Sequence, residues 1–325
     1  MTIEPVLVEV TRGESVESAH RGSFVVLGPS GREILCAGDP RRWIFPRSAL
    51  KPLQAVAMVR SGLSLPPRLL ALACASHSGE QFHLDAVREI LSSVGLGEPA
   101  LQNSPGFPYD EGVRHAWLRA GGVECPLVHN CSGKHAAMLA TCVHNDWSTT
   151  GYCELRHPLS ANILATCAEL TGATLGAVGI DGCGAPAPQT SLLGLARAYR
   201  SITCAPHGSA QHDVASAIRS HPEMVGGTHR EVTALMHASP GLIAKDGAEG
   251  VMAIATADGF TIALKLTDGA SRGRIGVGVA LLRWLGVVVD PSAAFEEPVI
   301  AGTRTVGSVR PSEWLRALLH ENRVN

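Results

Sequence analysis

Lysine is rare in this chain. Only four of its 27 basic residues are lysines, namely Lys51, Lys134, Lys245 and Lys265, and arginine supplies the other positive charges. An arginine guanidinium keeps its proton in proteins, whereas a lysine amine can lose it and then act as a base or donate a lone pair. A chain with a bias against lysine is expected to keep lysine at positions where arginine could not perform the same chemistry. We therefore treat each of the four as a candidate for chemistry.

Other absences exclude broad classes of function. The net charge is −2 and no basic stripe is present, which argues against binding to nucleic-acid phosphates. No apolar stretch approaches the roughly 20 residues of a membrane-spanning helix, and Arg283 interrupts the run before Val289. The chain start has neither the basic segment nor the apolar core of a secretory signal. We therefore expect a cytoplasmic protein.

The cysteines form no regular disulfide framework. There are nine of them, an odd number, and they are scattered from Cys36 to Cys204. In a chain without a secretory signal, such cysteines are expected to be reduced thiols, some of which could bind a metal.

The hydrophobic pattern places strands at both ends of the chain and helices between them. Strand-like alternation is found at 6–10, 23–27 and 33–37, and two further strands, 251–256 and 260–266, are joined by a hairpin signal at 257–259. Helical periodicity is found at 67–74, 83–94, 133–144, 158–170, 191–202, 211–219 and 274–286. This segregation predicts an α+β fold and not a series of alternating βαβ units.

We expect a single domain over residues 1–325. In it, residues 1–45 and about 245–325 would form an antiparallel sheet, and about 46–240 would form a mainly helical portion inserted between them. The sequence contains neither a complete dinucleotide-binding fingerprint nor a phosphate-binding P-loop.

Ser48 and Lys51 lie three residues apart, directly before an apolar helical stretch. In a helical backbone these positions share one face, and Pro52 is acceptable only in the first helical turn. A lysine amine can activate a serine hydroxyl as a nucleophile, and a helix N-terminus favours an oxyanion nearby. The alternative is that Ser48 only caps the helix, because so short a motif often occurs by chance.

Two further segments could bind a metal or an ammonium group. Cys131 and Lys134 begin a helix and, with Cys183, offer a plausible zinc site, although lysine is a rare ligand. The alternative is that both cysteines are simply small buried side chains. Asp181 lies in a glycine-rich turn just before Cys183, where it could receive an ammonium group.

Ser76 and Lys265 are candidates with weaker local signals. Ser76 lies close to Ser78 in a turn between two helices, and ordinary loop and cap chemistry could explain both hydroxyls. Lys265 lies near a strand end on the same face as the small Ala263. The alternative is that this face of the strand is simply solvated.

Five motifs, in this order, resemble the rhizobial-type L-asparaginases, a family also called asparaginase II or class 3. The motifs are RSALKPLQ at 47–54, ASHSGE at 75–80, NCSGKH at 130–135, GIDGCG at 179–184 and KDGAEGV at 245–251. The resemblance extends from about Val6 to the end of the helix after Lys265. Five motifs in the right order are far more specific than any one of them.

The resemblance implies a fold like that of serine β-lactamases and penicillin-binding proteins. It also implies two serine–lysine pairs, which are Ser48 with Lys51 and Ser76 with Lys265. One zinc ion would be held by Cys131, Lys134 and Cys183, with water completing its shell. The quaternary structure that the resemblance suggests is a homodimer.

The implied reaction is the hydrolysis of L-asparagine to L-aspartate and ammonia. Ser48, deprotonated through Lys51, would attack the side-chain amide to give an acyl-enzyme, and Ser76 with Lys265 would relay protons. The zinc ion would be structural or would help to position the substrate. The role of Lys245 stays open.

Arg47 and Asp181 are the candidates for binding the substrate's α-carboxylate and α-ammonium groups, because a zwitterion needs one partner of each sign. Two other functions also stay open. One is an acyl-serine amidase, similar to a β-lactamase, that acts on a different amide. The other is a non-catalytic binding protein stabilised by zinc.

Overall fold

The computed structural model of the protein describes residues 4–293 and 295–322. The strands are β1 Val6–Arg12, β2 Ser15–Leu27, β3 Glu33–Ala37, β4 Val178–Ile180, β5 Pro186–Pro188, β6 Ile243–Asp246, β7 Val251–Ala255, β8 Thr261–Leu266, β9 Glu297–Ala301 and β10 Arg304–Pro311. The helices are α1 Lys51–Arg60, α2 Pro67–Ala73, α3 Gln81–Ser93, α4 Glu111–Arg119, α5 Ser132–His144, α6 Pro158–Thr171, α7 Leu192–Thr203, α8 Ala210–Ser220, α9 Pro222–Val225, α10 Glu231–Ala238, α11 Arg274–Trp284 and α12 Glu313–Glu321. None of these helices is both long enough and apolar enough to cross a membrane.

Eight of the strands form one antiparallel sheet. Their order is β6-β7-β8-β2-β1-β10-β9, and β3 pairs with β2 as well. Strands β1 to β3 come from the start of the chain and β6 to β10 from its end. The predicted α+β fold, with an antiparallel sheet built from both chain ends and helices between, is therefore confirmed. The strands β4 and β5 form a separate two-stranded sheet.

The strand β2 is longer than the alternation predicted and joins the two halves of the sheet. Its first half pairs with β1, and its second half pairs with β3 on one side and β8 on the other. Residues 15–21 of β2 are mostly exposed, so they lack the apolar residues that signal a strand. The sequence prediction also missed β6, because Lys245 and Asp246 interrupt its hydrophobic pattern.

Helices cover both faces of the sheet near β7 and β8. These two strands are buried along nearly their whole length, and successive residues of a strand point to opposite faces. The helices α7 and α11 both pack against them. The sheet and the helical portion therefore share one continuous apolar core, and the edge strand β6 lies next to the segment that carries Ser48.

The turn between β6 and β7 approaches that segment very closely. A Cβ atom at Gly247 would lie 2.2 Å from the carbonyl oxygen of Pro46 and 3.4 Å from the backbone nitrogen of Ala49. Only glycine permits such an approach without a backbone shift. The edge of the sheet is thereby brought next to Ser48.

Candidate active site

Ser48 lies in a short 3-10 helix, Arg47–Leu50, that leads directly into α1. Pro52 occupies the first turn of α1, as predicted. The residue that caps α1 is Leu50, and no side chain bonds to the cap position. The alternative that Ser48 only caps the helix is therefore wrong. Arg47 has a φ of +54°, a left-handed conformation that is costly for a residue other than glycine and often occurs at functional sites.

Lys51 is buried at the start of α1, where it is 2% exposed. Its Nζ donates hydrogen bonds to Ser76 Oγ at 3.0 Å, to Cys131 Sγ at 3.1 Å and to the carbonyl oxygen of Ala75. Among the described residues, no hydrogen bond joins Lys51 to the hydroxyl of Ser48. The amine therefore contacts the second predicted serine and one of the predicted metal ligands.

Ser48 and Ser76 line one cavity of about 270 Å³. Its other lining residues are Tyr109, Asn130, residues 246–250, Gly269, Ser271 and Arg274. Ser78, the neighbouring hydroxyl in the same motif, instead donates to the carbonyl oxygen of Gly226 at 3.0 Å. The geometry therefore distinguishes the two serines of this motif, and Ser76 is the one that faces the cavity.

Lys265 does not contact Ser76. Its Nζ donates to the carbonyl oxygens of Glu249, at 2.5 Å, and Leu266, at 3.4 Å, and Ser76 Oγ accepts its hydrogen bond from Lys51. The predicted pair of Ser76 with Lys265 is therefore not formed. The physical reason is that the cavity lies beside the edge strand β6. The strand β8, which carries Lys265, is separated from β6 by β7.

Lys245, on β6, is another buried lysine that lies near Lys51. It is 1% exposed, and its Nζ donates to Asp246 Oδ1 at 2.6 Å. Burial lowers the pKa of Lys245 to about 8, an effect that Asp246 opposes and the charge of Lys51 strengthens. Lys245, whose role the sequence left open, thus lies at the edge of the candidate site.

Asp246 is the centre of a charged network behind the cavity. Besides Lys245, it accepts a hydrogen bond from Arg230 at 2.6 Å and lies 3.8 Å from Arg274. Burial would raise the pKa of Asp246, but Lys245, Arg230 and Arg274 together lower it strongly. Arg230 also stacks over the ring of Tyr109, with its guanidinium carbon 4.4 Å from the ring centre. This network fixes one wall of the cavity.

We expect Asp246→Asn to lower the free energy of unfolding by about 3–5 kcal/mol at pH 7, because it leaves buried cations without a counter-charge. Urea unfolding of the variant and the wild type measures this difference. The folded pKa of Asp246 is depressed, so its contribution is present above its unfolded pKa of about 3.9 and is lost as the pH falls. The gap between the two proteins should therefore narrow in acid; a constant gap would contradict this account.

We expect Lys245→Met to lower kcat by about 10- to 100-fold, because it removes a buried cation from the edge of the site. The matched variant Lys265→Met should stay within about threefold of the wild type, since its amine contacts only backbone carbonyls. Steady-state rates with L-asparagine, the substrate that the sequence resemblance implies, are taken together with melting curves to measure both effects. A large loss of kcat in Lys265→Met together with a small one in Lys245→Met would contradict this expectation and favour the pair of Ser76 with Lys265.

Arg47 and Asp181 form one ion pair. Arg47 donates to Asp181 Oδ1 from Nε at 2.8 Å and from Nη2 at 2.6 Å. The backbone N–H of Gly182 donates to the same oxygen at 2.7 Å. Among the described residues, Oδ2 of Asp181 accepts no hydrogen bond. The structure therefore brings the two predicted substrate-binding residues together, with one carboxylate oxygen left free.

The three predicted metal ligands also lie close together. Cys131 and Cys183 form a small buried cluster with Ala185, and Lys134 Nζ donates to Cys183 Sγ at 3.2 Å. A hydrogen bond from Cys131 and the charge of Lys134 lower the pKa of Cys183 strongly, although burial opposes this. Burial likewise opposes the rise in the pKa of Lys134 that the two cysteines cause.

The chemistry of these three side chains fits a zinc ion. Thiolate sulfur is a preferred zinc ligand, and an amine nitrogen becomes available once a metal displaces its proton. A buried imidazole nitrogen of His135, next to Lys134, has no hydrogen-bond partner among the described residues. In residues 4–293 and 295–322, however, no three His, Cys, Asp or Glu side chains meet as a metal cluster. Any such site would depend on Lys134.

Several residues of the site were not predicted from the sequence. Tyr109 and Arg274 line the cavity, and Arg230 supports it, yet none of them belongs to a recognisable motif. Asn130 and Asp246 do lie within two of the quoted motifs, but no chemical argument singled them out. The scarcity of lysine was the one chemical signal that singled out Lys245, which lies on the edge strand β6.

Solved structures with a similar chain path include a β-lactamase from Mycobacterium bovis. That comparison has a TM-score of 0.46 and 13% identity, and it covers 81% of this chain and 94% of the other. A second is the protein called Mglu in its native form, with a TM-score of 0.45 and 15% identity, covering 87% of this chain and 68% of the other. No curated protein sequence matches this chain.

A family model gives the most extensive match. The model of the family described as L-asparaginase II matches residues 8–311, which is nearly the whole chain and includes every predicted site residue. The match supports an amide hydrolase of the asparaginase type. The chain belongs to the L-asparaginase II family.

Proposed function

We propose that the protein hydrolyses L-asparagine to L-aspartate and ammonia, with Ser48 as the nucleophile. The observation that carries this proposal is the cavity that Ser48 and Ser76 both line, with the buried amine of Lys51 hydrogen-bonded to Ser76 Oγ at 3.0 Å. Such a unit can remove a proton from one hydroxyl through the other. Membership of the L-asparaginase II family supports asparagine as the substrate.

In the acylation step, Ser48 Oγ attacks the carbon of the side-chain amide and forms a new C–O bond. The hydroxyl proton passes through Ser76 to Lys51, which serves as the base. When the tetrahedral intermediate collapses, the C–N bond breaks and the proton returns by the same route to the nitrogen. Ammonia leaves, and a β-aspartyl ester remains on Ser48.

In the deacylation step, a water molecule attacks the ester carbon, and Lys51 again takes the proton through Ser76. The bond between the carbon and Ser48 Oγ then breaks, and the serine oxygen regains the proton. The products are L-aspartate and the free enzyme. Each proton that Lys51 accepts is returned, so the cycle needs no further acid or base.

Substrate binding is assigned to Arg47 and Asp181. The free Oδ2 of Asp181 would accept a hydrogen bond from the α-ammonium group, while Arg47 would turn part of its guanidinium toward the α-carboxylate. Their mutual ion pair, with an Arg47 Nη2 to Asp181 Oδ1 distance of 2.6 Å, supports this by fixing the spacing of the two charges. Lys245 would keep the positive potential that favours an anionic intermediate.

Cys131, Lys134 and Cys183 would hold a zinc ion. When bound, the ion would supply a fixed positive charge beside the substrate site. Lys51, which donates to Cys131 Sγ at 3.1 Å, would connect this site to the serines.

The predicted homodimer and the cytoplasmic location stay predictions.

The proposed function is tested by measuring ammonia release from L-asparagine, from L-glutamine and from no substrate, with the metal content determined on the same sample. We expect release from L-asparagine at a rate that saturates with substrate. A chromogenic β-lactam tests the alternative amidase. Lactam hydrolysis without ammonia release would favour that alternative, and inactivity on all three compounds would favour the non-catalytic binding protein.

A further inference from the structure

Tyr109 is an aromatic residue at the mouth of the cavity, and the mechanism above gives it no role. It lines the cavity together with Ser48 and Ser76, and it is 49% exposed. One part of the side chain therefore faces the cavity and another part faces solvent. The cavity volume of about 270 Å³ lies below the roughly 300–1,000 Å³ of sites that hold drug-sized ligands. A wall that cannot move would therefore limit the size of the group that reaches the serines.

The backbone around Tyr109 is held from two directions. The backbone N–H of Asp110 donates to the carbonyl oxygen of Ser78 at 3.1 Å. The guanidinium of Arg114, on α4, donates to the carbonyl oxygens of Pro108 at 3.0 Å and of Tyr109 itself at 3.2 Å. The segment is thereby fixed against the turn between α2 and α3, which also carries the second serine of the site.

Arg230 fixes the ring of Tyr109. Its guanidinium carbon lies 4.4 Å from the ring centre, a distance at which a cation is attracted to an aromatic face. Arg230 is itself held in place, because it donates to Asp246 Oδ2 at 2.6 Å and only 12% of its side chain is exposed. Its Nη1 also lies 3.5 Å from the carbonyl oxygen of Ser76. The ring is therefore a rigid wall on the Ser76 side of the cavity.

The two ends of the proposed substrate lie on different sides of Ser48. The α-ammonium and α-carboxylate groups are assigned to Asp181 and Arg47, and neither residue is among the described residues that line the cavity. The cavity would therefore receive the other end, which is the side-chain amide. In the proposed mechanism the amide nitrogen takes its proton through Ser76, so this nitrogen would lie on the side where Tyr109 forms the wall.

We propose that Tyr109 is a specificity-determining residue that restricts the enzyme to primary amides. A group attached to the amide nitrogen would meet the ring, which Arg230 and the backbone hydrogen bonds hold in place. A single methylene group that does not fit changes kcat/KM by about 10- to 200-fold. This inference rests on the proposed function, because it uses the assigned positions of the amide and of the α-groups.

The experiment compares kcat/KM for L-asparagine with kcat/KM for its derivative that carries one ethyl group on the side-chain nitrogen. Both rates are measured as release of L-aspartate, since hydrolysis of the derivative breaks the same C–N bond and releases ethylamine in place of ammonia. We expect the wild type to prefer L-asparagine by about 100-fold or more. We expect Tyr109→Ala to reduce this preference by about 10- to 100-fold, and Tyr109→Phe, which keeps the ring, to retain it.

A second variant, Arg114→Met, loosens the wall without removing the ring. It deletes the two hydrogen bonds to the backbone beside the ring, so it should reduce the preference by a smaller factor of about 3- to 10-fold. The matched control is Arg88→Met, because Arg88 is also a helical arginine but its partners are the exposed Asp85 and Glu98. This control should keep the preference of the wild type. If Tyr109→Ala does not fold, as judged by circular dichroism, the comparison of the two arginine variants still decides the question.

Each result supports or overturns the inference. A reduced preference in Tyr109→Ala, with the wild-type preference in Tyr109→Phe, supports it. An unchanged preference in both Tyr109→Ala and Arg114→Met would overturn it, and so would an equal reduction in Tyr109→Phe, which would assign the discrimination to the hydroxyl. A wild type that hydrolyses both compounds equally well would overturn the inference and leave the asparaginase proposal standing. A wild type that releases L-aspartate from neither compound would refute both.

Discussion

Ser48→Ala is expected to lower kcat for ammonia release by about 10⁴-fold or more, because in the proposed mechanism it would remove the atom that bonds to the substrate. The hydroxyl of Ser48 makes no hydrogen bond to any described residue, so its loss should leave the stability of the fold nearly unchanged. Rates measured at high enzyme concentration, together with melting curves of both proteins, check the two expectations.

The matched variant for this prediction is Ser76→Ala. Ser76 would relay protons and form no bond to carbon, so its loss should cost about 10²–10⁴-fold in kcat. If Ser48→Ala kept substantial activity while Ser76→Ala lost it all, the nucleophile would be Ser76. The hydrogen bond between Lys51 and Ser76 is the observation that would favour this reversal, and the pair of variants decides between the two serines.

Lys51→Met is expected to lower kcat by about 10²–10⁴-fold while changing KM for L-asparagine much less. The reason is that Lys51, in the proposed mechanism, would accept the proton through Ser76, and its amine makes no hydrogen bond to the side chains proposed to bind the substrate. Methionine has a similar length and no charge, so it can occupy this buried position, which is 2% exposed in the wild type. Steady-state kinetics over a range of asparagine concentrations separate the two parameters.

The control for Lys51→Met is Lys265→Met, which makes the same chemical change at a lysine outside the cavity. Similar losses in the two variants would mean that net charge, and not proton transfer, explains the effect. A large increase in KM with an unchanged kcat for Lys51→Met would instead show that Lys51 binds the substrate.

The broad fold was predictable because its signals are local. Apolar residues mark β1, β7 and β8, and the turn signal between β7 and β8 predicts their antiparallel pairing. The exposed half of β2 and the edge strand β6 were missed for a physical reason. The residues in the first half of β2 are exposed to solvent, and β6 carries buried charged residues. Neither segment therefore has a periodic apolar pattern.

The candidate site was predictable in part. Lys51 is hydrogen-bonded to Ser76, Ser48 lines the same cavity as Ser76, and Cys131, Lys134 and Cys183 lie close together, because the motifs around these residues are distinctive. The pair of Ser76 with Lys265 is not formed, because the local sequence around a strand does not show where that strand lies in the sheet. Only the strand order shows that Lys245 is at the edge next to Lys51 and that Lys265 is two strands away.

The most direct test of the central claim is to trap the acyl-enzyme. The protein is mixed with L-asparagine, quenched in acid within the first turnover, digested with pepsin and analysed by mass spectrometry. We predict that the peptide containing Ser48 gains the mass of one β-aspartyl group and that the gain is absent in Ser48→Ala. The same gain on the peptide containing Ser76, with none on the Ser48 peptide, would contradict the proposed mechanism.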